Sequence, residues 1–235
     1  MLTHLSSIHL KKKIEEVENI PLQEQVRIGV LALQGAFREH CLALYAAGAK
    51  PVEIRCSEDM ENLHGLCLPG GESTVMAKLL VQNALFSRLM KLIQGNMPVF
   101  ATCAGLILLS NEIIGFEEQV RLRCLDVAVN RNAFGRQKES FTEELDIVCP
   151  YFSEEDTEKH CVFPAVFIRA PQIVKAGGNV KILARKKGGI LAVQEKNIVA
   201  TAFHPELTEN LLFHTWLFEK AKEYKTSLQG AAKFF

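Results

Sequence analysis

The sequence lacks a charge surplus of either sign: its 27 Lys and Arg are matched by 27 Asp and Glu. A protein that grips nucleic acid regardless of sequence needs a basic excess to displace counterions from phosphates, so that class is excluded. With 48% hydrophobic and 23% charged residues, the composition is not that of an acidic, disordered chain either. Also missing is any apolar run of the roughly 18–20 residues that a membrane span requires. The seven cysteines (Cys41, Cys56, Cys67, Cys103, Cys124, Cys149 and Cys161) include no Cys-x-x-Cys pair, which removes zinc-ribbon and thioredoxin-type motifs. Their odd number and wide scatter also speak against a disulfide scaffold, a device of small secreted domains.

The first ten residues hold no sustained apolar core, and Lys11-Lys12-Lys13 lead into Glu15-Glu16, unlike a signal or transit peptide. A soluble, cytoplasmic protein that binds neither nucleic acid nor membrane is expected. Residues 1–25 read as an N-terminal extension, flexible or a short helix. Residues 26–226 read as one domain, without internal repeat or low-complexity linker, and residues 227–235 as a tail.

From Arg27 onward the texture becomes alternating. Arg27–Leu33 is a nearly continuous apolar run, the mark of a strand buried on both faces. Phe37, Cys41, Leu44 and Tyr45 recur at helical spacing up to a capping Gly48. Strands are expected at Val52–Ile54, Gly65–Leu68 and Pro98–Thr102. Ser57 can cap a short helix reaching Leu63, and further helices follow Gly71 and span Leu85–Ile93. This rhythm predicts βαβ units and a parallel sheet covered on both faces. Past Ser110 the pattern turns to β, with strands expected at 125–129, 141–148, 165–168, 180–184, 190–194 and 199–203. Lys187-Gly188-Gly189 reads as a hairpin turn, and Glu209–Tyr224 as a closing amphipathic helix.

Three segments carry chemistry. Val99-Phe100-Ala101-Thr102-Cys103-Ala104-Gly105 runs a buried strand into a small-residue turn with a cysteine at its apex, followed at once by a helix. That is a nucleophile elbow, and the helix N-terminus favours a thiolate. In Phe203-His204-Pro205-Glu206, two residues spaced by one can place an imidazole and its supporting carboxylate on the same side. Leu68-Pro69-Gly70-Gly71-Glu72-Ser73 ends a strand in two glycines that can turn backbone N–H groups toward an oxyanion, with a positive φ expected at Gly71. Alone, each segment admits a plainer reading: a core cysteine, a surface turn, or a strand-to-helix turn with Ser73 as cap. All three fall at strand carboxyl ends, where open α/β sheets carry their sites.

In this order the segments resemble the class I glutamine amidotransferases, the triad glutaminases. The resemblance narrows to the glutaminase subunits of pyridoxal 5′-phosphate synthase (the PdxT/Pdx2/SNO family). It rests on Gly29–His40, Pro69–Thr74, Arg131-Asn132-Ala133-Phe134-Gly135-Arg136-Gln137, Phe167–Pro171 and Phe203–Thr208, and covers about Arg27 to Tyr224. It implies a three-layer, flavodoxin-like α/β fold: a mostly parallel central sheet, helices on both faces, and a C-terminal β-rich part.

It further implies that Cys103, His204 and Glu206 hydrolyse L-glutamine to glutamate and ammonia through a γ-glutamyl thioester. The N–H groups of Gly71 and Ala104 would form the oxyanion hole, and Gly71, Glu72, Ser73, Arg131, Ile168 and Arg169 would hold the glutamine. Neither metal nor cofactor is implied. The implied partner is a (β/α)₈-barrel synthase subunit (PdxS/Pdx1/SNZ type) in a large heteromeric assembly, which receives the ammonia. A glutaminase subunit of another synthase, of the imidazole glycerol phosphate type, and a non-catalytic regulatory subunit are the alternatives. Two positions depart from the family pattern: Ala101, where glycine is usual, and Arg123, near which glycine or a small residue is common.

Overall fold

The computed structural model describes residues 7–131, 140–151, 153, 155–186 and 189–231. The elements run α1 (Ser7–Glu18), β1 (Arg27–Leu31), α2 (Phe37–Ala47), β2 (Lys50–Ile54), β3 (Gly65–Leu68), α3 (Ser73–Gln82), α4 (Phe86–Gln94), β4 (Val99–Thr102) and α5 (Ala104–Leu109). Then come β5 (Ser110–Ile113), β6 (Leu125–Asn130), β7 (Phe141–Val148), β8 (His160–Phe167), β9 (Gln172–Ala176), β10 (Lys181–Lys186), β11 (Gly189–Glu195), β12 (Ile198–Thr201) and α6 (Leu212–Ala231).

Among the described residues, ten strands form one sheet in the order β2-β1-β3-β4-β12-β11-β9-β6-β5, with β10 paired to β11. The half from β2 to β12 is parallel, and β1, β3, β4 and β12 are the near-continuous apolar runs expected of strands covered on both faces. Beyond β12 the pairing turns antiparallel through β11, β9 and β6, while β5 lies parallel to β6. This is the expected α/β fold with a mostly parallel centre and a β-rich later part. No helix among the described residues is long and apolar enough to cross a membrane.

Several boundaries differ from the sequence-based expectation, each for a physical reason. β2 begins at Lys50 and includes Pro51, because β2 is an edge strand, where a sheet tolerates a missing N–H. β7 and β8 stand apart as a two-stranded ribbon, and β8 begins at His160 with Pro164 inside it. The helix expected after Ser57 is only a 3₁₀ turn over Glu58–Met60. The Ser57 hydroxyl does not cap it, and the Asp59 carboxylate instead accepts from the N–H groups of Arg55 and Cys56. α6 continues to Ala231, beyond residue 226. The turn expected at 187–189 falls mostly outside the described residues, although Lys186 pairs with Gly189 across it.

Helix α1 packs its Val17 inward at 3% exposure, and its Glu18 accepts hydrogen bonds from Tyr45 on α2 and Lys50 on β2. Gly48 closes α2 in the left-handed conformation (φ +100°), as its position predicts. Phe100 of β4 stacks on Phe213 of α6 with ring centroids 5.5 Å apart, fixing the last helix against the centre of the sheet.

Arg123, just before β6, has φ +52°, a left-handed conformation that strains a residue with a Cβ. Glycine here would relieve that strain, since it has no Cβ. Arg123→Gly is expected to stabilise the fold by about 0.5–1 kcal/mol, the left-handed penalty less the extra chain entropy of glycine. Denaturant unfolding of both proteins checks this; an unchanged or lower midpoint contradicts it.

Candidate active site

The parallel register sets the site. Leu68, Ala101 and Ala200 lie side by side, and so do Thr102 and Thr201, so β3, β4 and β12 end at one edge of the sheet. Pro69-Gly70-Gly71, Cys103 and His204 leave from those three ends.

Cys103 has φ +45° and ψ −100°, a strained conformation between the end of β4 and the start of α5. Its N–H donates to the Thr201 carbonyl at 2.8 Å, and its side chain is 6% exposed. Gly105 must be glycine, since a Cβ there would lie 2.1 Å from the Leu68 carbonyl oxygen. At Gly70 a Cβ would come within 2.3 Å of His204 Cε1 and 3.3 Å of Cys103 Cβ. The glycine turn, the cysteine and the histidine therefore meet in direct contact.

His204 Nδ1 lies 2.7 Å from Glu206 Oε1. Among the described residues His204 Nε2 makes no hydrogen bond of regular geometry, but the neighbouring Cys103 thiol is close enough to stabilise a charged ring. Burial opposes that charge, yet the thiol and the Glu206 carboxylate outweigh it and raise the His204 pKa to about 10. Glu206 has no exposure to solvent. Burial alone would raise its pKa, but His40 and His204 prevail and hold it below the ordinary carboxylate range. The arrangement is a thiol, an imidazole beside it, and an ionised carboxylate behind the imidazole.

A family model described as the SNO glutamine amidotransferase family matches residues 30–223. The chain belongs to that family. It is 51% identical over 205 residues to the pyridoxal 5′-phosphate synthase subunit PdxT of Pelotomaculum thermopropionicum, covering 87% of this chain and 100% of that protein. To the protein of the same name from Moorella thermoacetica it is 48% identical over 191 residues, 81% of this chain and 97% of the relative. A solved structure described as a glutamine amidotransferase superimposes with a TM-score of 0.74 at 42% identity, over 83% of this chain and 98% of that one. PurLQS from Thermotoga maritima, at 16% identity and a TM-score of 0.61 over 85% of this chain and 99% of that one, shares the fold.

Within this glutamine amidotransferase the other residues singled out by sequence fall as follows. Ala104 opens α5 and is buried beside Cys103. Gly71 does not have the expected positive φ; a Cβ there would lie 2.5 Å from Gln34 Oε1 and 3.2 Å from Gly35 Cα. Gln34 went unnoticed in the sequence, yet its side-chain oxygen accepts the Glu72 N–H at 2.6 Å and so fixes the glycine turn.

Glu72, not Ser73, caps α3, accepting from the N–H groups of Thr74 and Val75. Ser73 is the first helical residue, 2% exposed, with its hydroxyl unpartnered among the described residues. Arg131 donates to Glu72 Oε1 at 3.0 Å and to Gln119, and its guanidinium lies 4.6 Å from the centre of the Phe116 ring. It borders a cleft of about 820 Å³ lined also by Thr74, Lys78, Phe116, Gln119 and Val120. The rest of its motif, residues 132–137, lies outside the described residues.

Ile168 and Arg169 directly follow β8, whose Val166 carbonyl accepts the His204 N–H at 2.8 Å. Arg169 is exposed and left-handed at φ +45°. Ala101 is wholly buried on β4, in register with Leu68 of β3 and Ala200 of β12.

The raised His204 pKa has a consequence for stability. Its contribution is complete below its unfolded value, near 6.5, and is lost as pH rises toward about 10. The difference in unfolding free energy between parent and His204→Gln is therefore expected to shrink progressively across that interval. Urea melts of both proteins at several alkaline pH values read it; a pH-independent difference would contradict the assignment.

Proposed function

We propose that this glutamine amidotransferase hydrolyses L-glutamine with Cys103 as nucleophile, His204 as proton carrier and Glu206 as its support. The observation that carries this reading is the His204–Glu206 pair at 2.7 Å, with the other imidazole nitrogen beside a cysteine held at an elbow. The Cys103 sulfur attacks the side-chain amide carbon, and the N–H groups of Gly71 and Ala104 stabilise the oxyanion. The C–N bond breaks as the nitrogen takes a proton from His204, releasing ammonia. Water, deprotonated by His204, then cleaves the γ-glutamyl thioester, yielding glutamate and the free thiol. Glu72 would receive the ammonium of glutamine, with Ser73 and Ile168 beside it. Arg131 and Arg169 would supply the positive charge that a free amino acid's carboxylate needs.

The relatives named as pyridoxal 5′-phosphate synthase subunits support a further step. The ammonia passes to a (β/α)₈-barrel synthase subunit of the PdxS type within a heteromeric assembly in the cytoplasm. Control by that partner has a physical handle. The Gly70 carbonyl accepts the Ala36 N–H at 3.1 Å. Reorienting the Gly70–Gly71 peptide gives up this one bond, about 1 kcal/mol net, which a partner seated at the Glu72-Ser73 turn can offset.

Glutamate release, measured with the synthase barrel titrated from none to excess, tests the reading. The parent is expected to accelerate with the barrel, and Cys103→Ala to lose at least about a thousandfold throughout. Cys103→Ala activity within about tenfold of the parent would overturn the nucleophile, and a flat titration would overturn the gating.

In the same assay Arg131→Ala is expected to raise KM for glutamine by roughly tenfold or more while changing kcat little, since it grips a part of the substrate that does not react. A drop in kcat at constant KM would move Arg131 to the reaction centre.

A further inference from the structure

Behind Glu206 lies a buried polar chain that the reaction as described does not use. His40 of α2 and His214 of α6 are both fully buried, and His40 Nδ1 lies 2.9 Å from His214 Nε2. On its other side His40 Nε2 is 3.2 Å from Thr102 Oγ1 and 3.4 Å from Glu206 Oε2. That carboxylate oxygen has no regular hydrogen bond among the described residues, and neither has His214 Nδ1.

These contacts fix the hydrogens. His214 is neutral, because burial lowers its pKa to about 3. It therefore carries one hydrogen. On Nδ1 that hydrogen would be a buried donor with nothing to bind, which structures avoid more strictly than a bare acceptor. On Nε2 it is donated to His40 Nδ1. With Nδ1 accepting, His40 presents its hydrogen on Nε2, which faces Thr102 Oγ1 and the free oxygen of Glu206. Cys67 of β3 also lies near Glu206, and its thiol is pushed far up by burial and stays uncharged. Phe100 closes the remaining side edge-on, with ring centroids 5.9 Å apart.

We propose that His40 is a positioning residue for the Cys103–His204–Glu206 triad, holding the second Glu206 oxygen in a tautomer set by His214. The proposal rests on the glutaminase reading for its effect on catalysis, but the geometry it describes acts on Glu206 and His204 themselves. A carboxylate fixed at one oxygen alone can rotate away from the imidazole; fixed at both, it stays ionised and in line with Nδ1. Removing the His40 donor frees the carboxylate to turn out of line with Nδ1 and so weakens its hold on the His204 imidazolium. The imidazolium then loses its proton at lower pH, and the thiolate–imidazolium pair fails earlier on the alkaline side.

The test uses the full chain with its synthase barrel and three substitutions. His40→Leu removes the donor. His40→Asn keeps a polar group near Nδ1 but cannot reach Glu206. His40→Gln carries an amide N–H where Nε2 stood. Glutamate release gives kcat, KM and their pH limbs. Iodoacetamide alkylation of Cys103, followed by peptide mass spectrometry on the chain without its partner, gives a second pH profile that needs no turnover.

His40→Leu and His40→Asn are expected to lower kcat by about tenfold or more at little-changed KM, with both alkaline limbs moved to lower pH. His40→Gln is expected to restore most of the rate and the parental limbs. If His40→Leu does not fold, the Asn and Gln pair carries the comparison. Equal behaviour of Asn and Gln, or lost activity with unmoved limbs, overturns the positioning role. A parent that releases no glutamate, with its alkylation limb still shifted by His40→Asn, would sink the glutaminase reading and leave the positioning role standing.

Discussion

A carboxylate with no access to water is the constraint around which this protein is organised. Burying an ionised group costs several kcal/mol unless it is paired and hydrogen-bonded, and Glu206 is wholly buried. What compensates it comes from far apart in the sequence: His204 from its own turn, and His40 from the first helix after β1. His214, from the last helix, orders His40 in turn. Phe100 and Phe213 stack beside this group, so docking α6 onto the sheet and completing the polar chain are one packing event. The functional centre is therefore part of the core, and substitutions there will disturb folding and chemistry together unless shape is kept.

The second constraint is backbone crowding. Gly105, Gly70 and Gly35 are each glycine because a Cβ would strike something within 2.3 Å: the Leu68 carbonyl, the His204 ring and the Gly70 carbonyl, respectively. Of these three, Gly35 alone also has a positive φ. These glycines draw three strand ends close enough for the thiol, the imidazole and the glycine turn to touch. Their role is close approach more than flexibility, which is why the positive φ expected at Gly71 is not found. At the elbow itself the backbone is strained at Cys103, a non-glycine residue held at φ +45°.

Much of this was legible because the signals are local. Apolar runs such as Arg27–Leu31 and the Gly48 cap mark elements without reference to the rest of the chain. The elbow at Cys103 and the spacing of His204 and Glu206 also lie within a few residues. What escaped depends on tertiary partners. β9 (Gln172–Ala176) has one fully buried residue, Ile173, and exists because β6 and β11 offer it edges. β5 follows α5 without a break and shows no alternation to announce it. Pro51 and Pro164 masked strand residues that sit on an edge strand and in a separate ribbon. Gln34 and His40 lie inside a segment that carried the resemblance, yet nothing in their spacing reveals that one braces Glu72 and the other faces Glu206.

Glu72 shows how one side chain can serve the fold and the proposed ligand together. Its Oε1 takes the Thr74 N–H and one Arg131 nitrogen, and its Oε2 takes the Val75 N–H. A carboxylate has about four acceptor sites, and with 42% of the side chain exposed this one stays open to solvent. The Val75 and Thr74 N–H groups, the Thr74 hydroxyl and the Arg131 charge hold the carboxylate ionised, below its usual pKa despite partial burial. On the proposed reading, the ammonium of glutamine meets a charged, preoriented carboxylate. The half-exposed side chain lets that ammonium arrive still partly hydrated, which lowers its desolvation penalty. Arg131, tied to the same carboxylate, is likewise prepositioned, so substrate binding at this corner needs little rearrangement of the chain. On the proposed reading, the freedom left for a partner to control lies in the Gly70–Gly71 peptide, whose carbonyl accepts the Ala36 N–H.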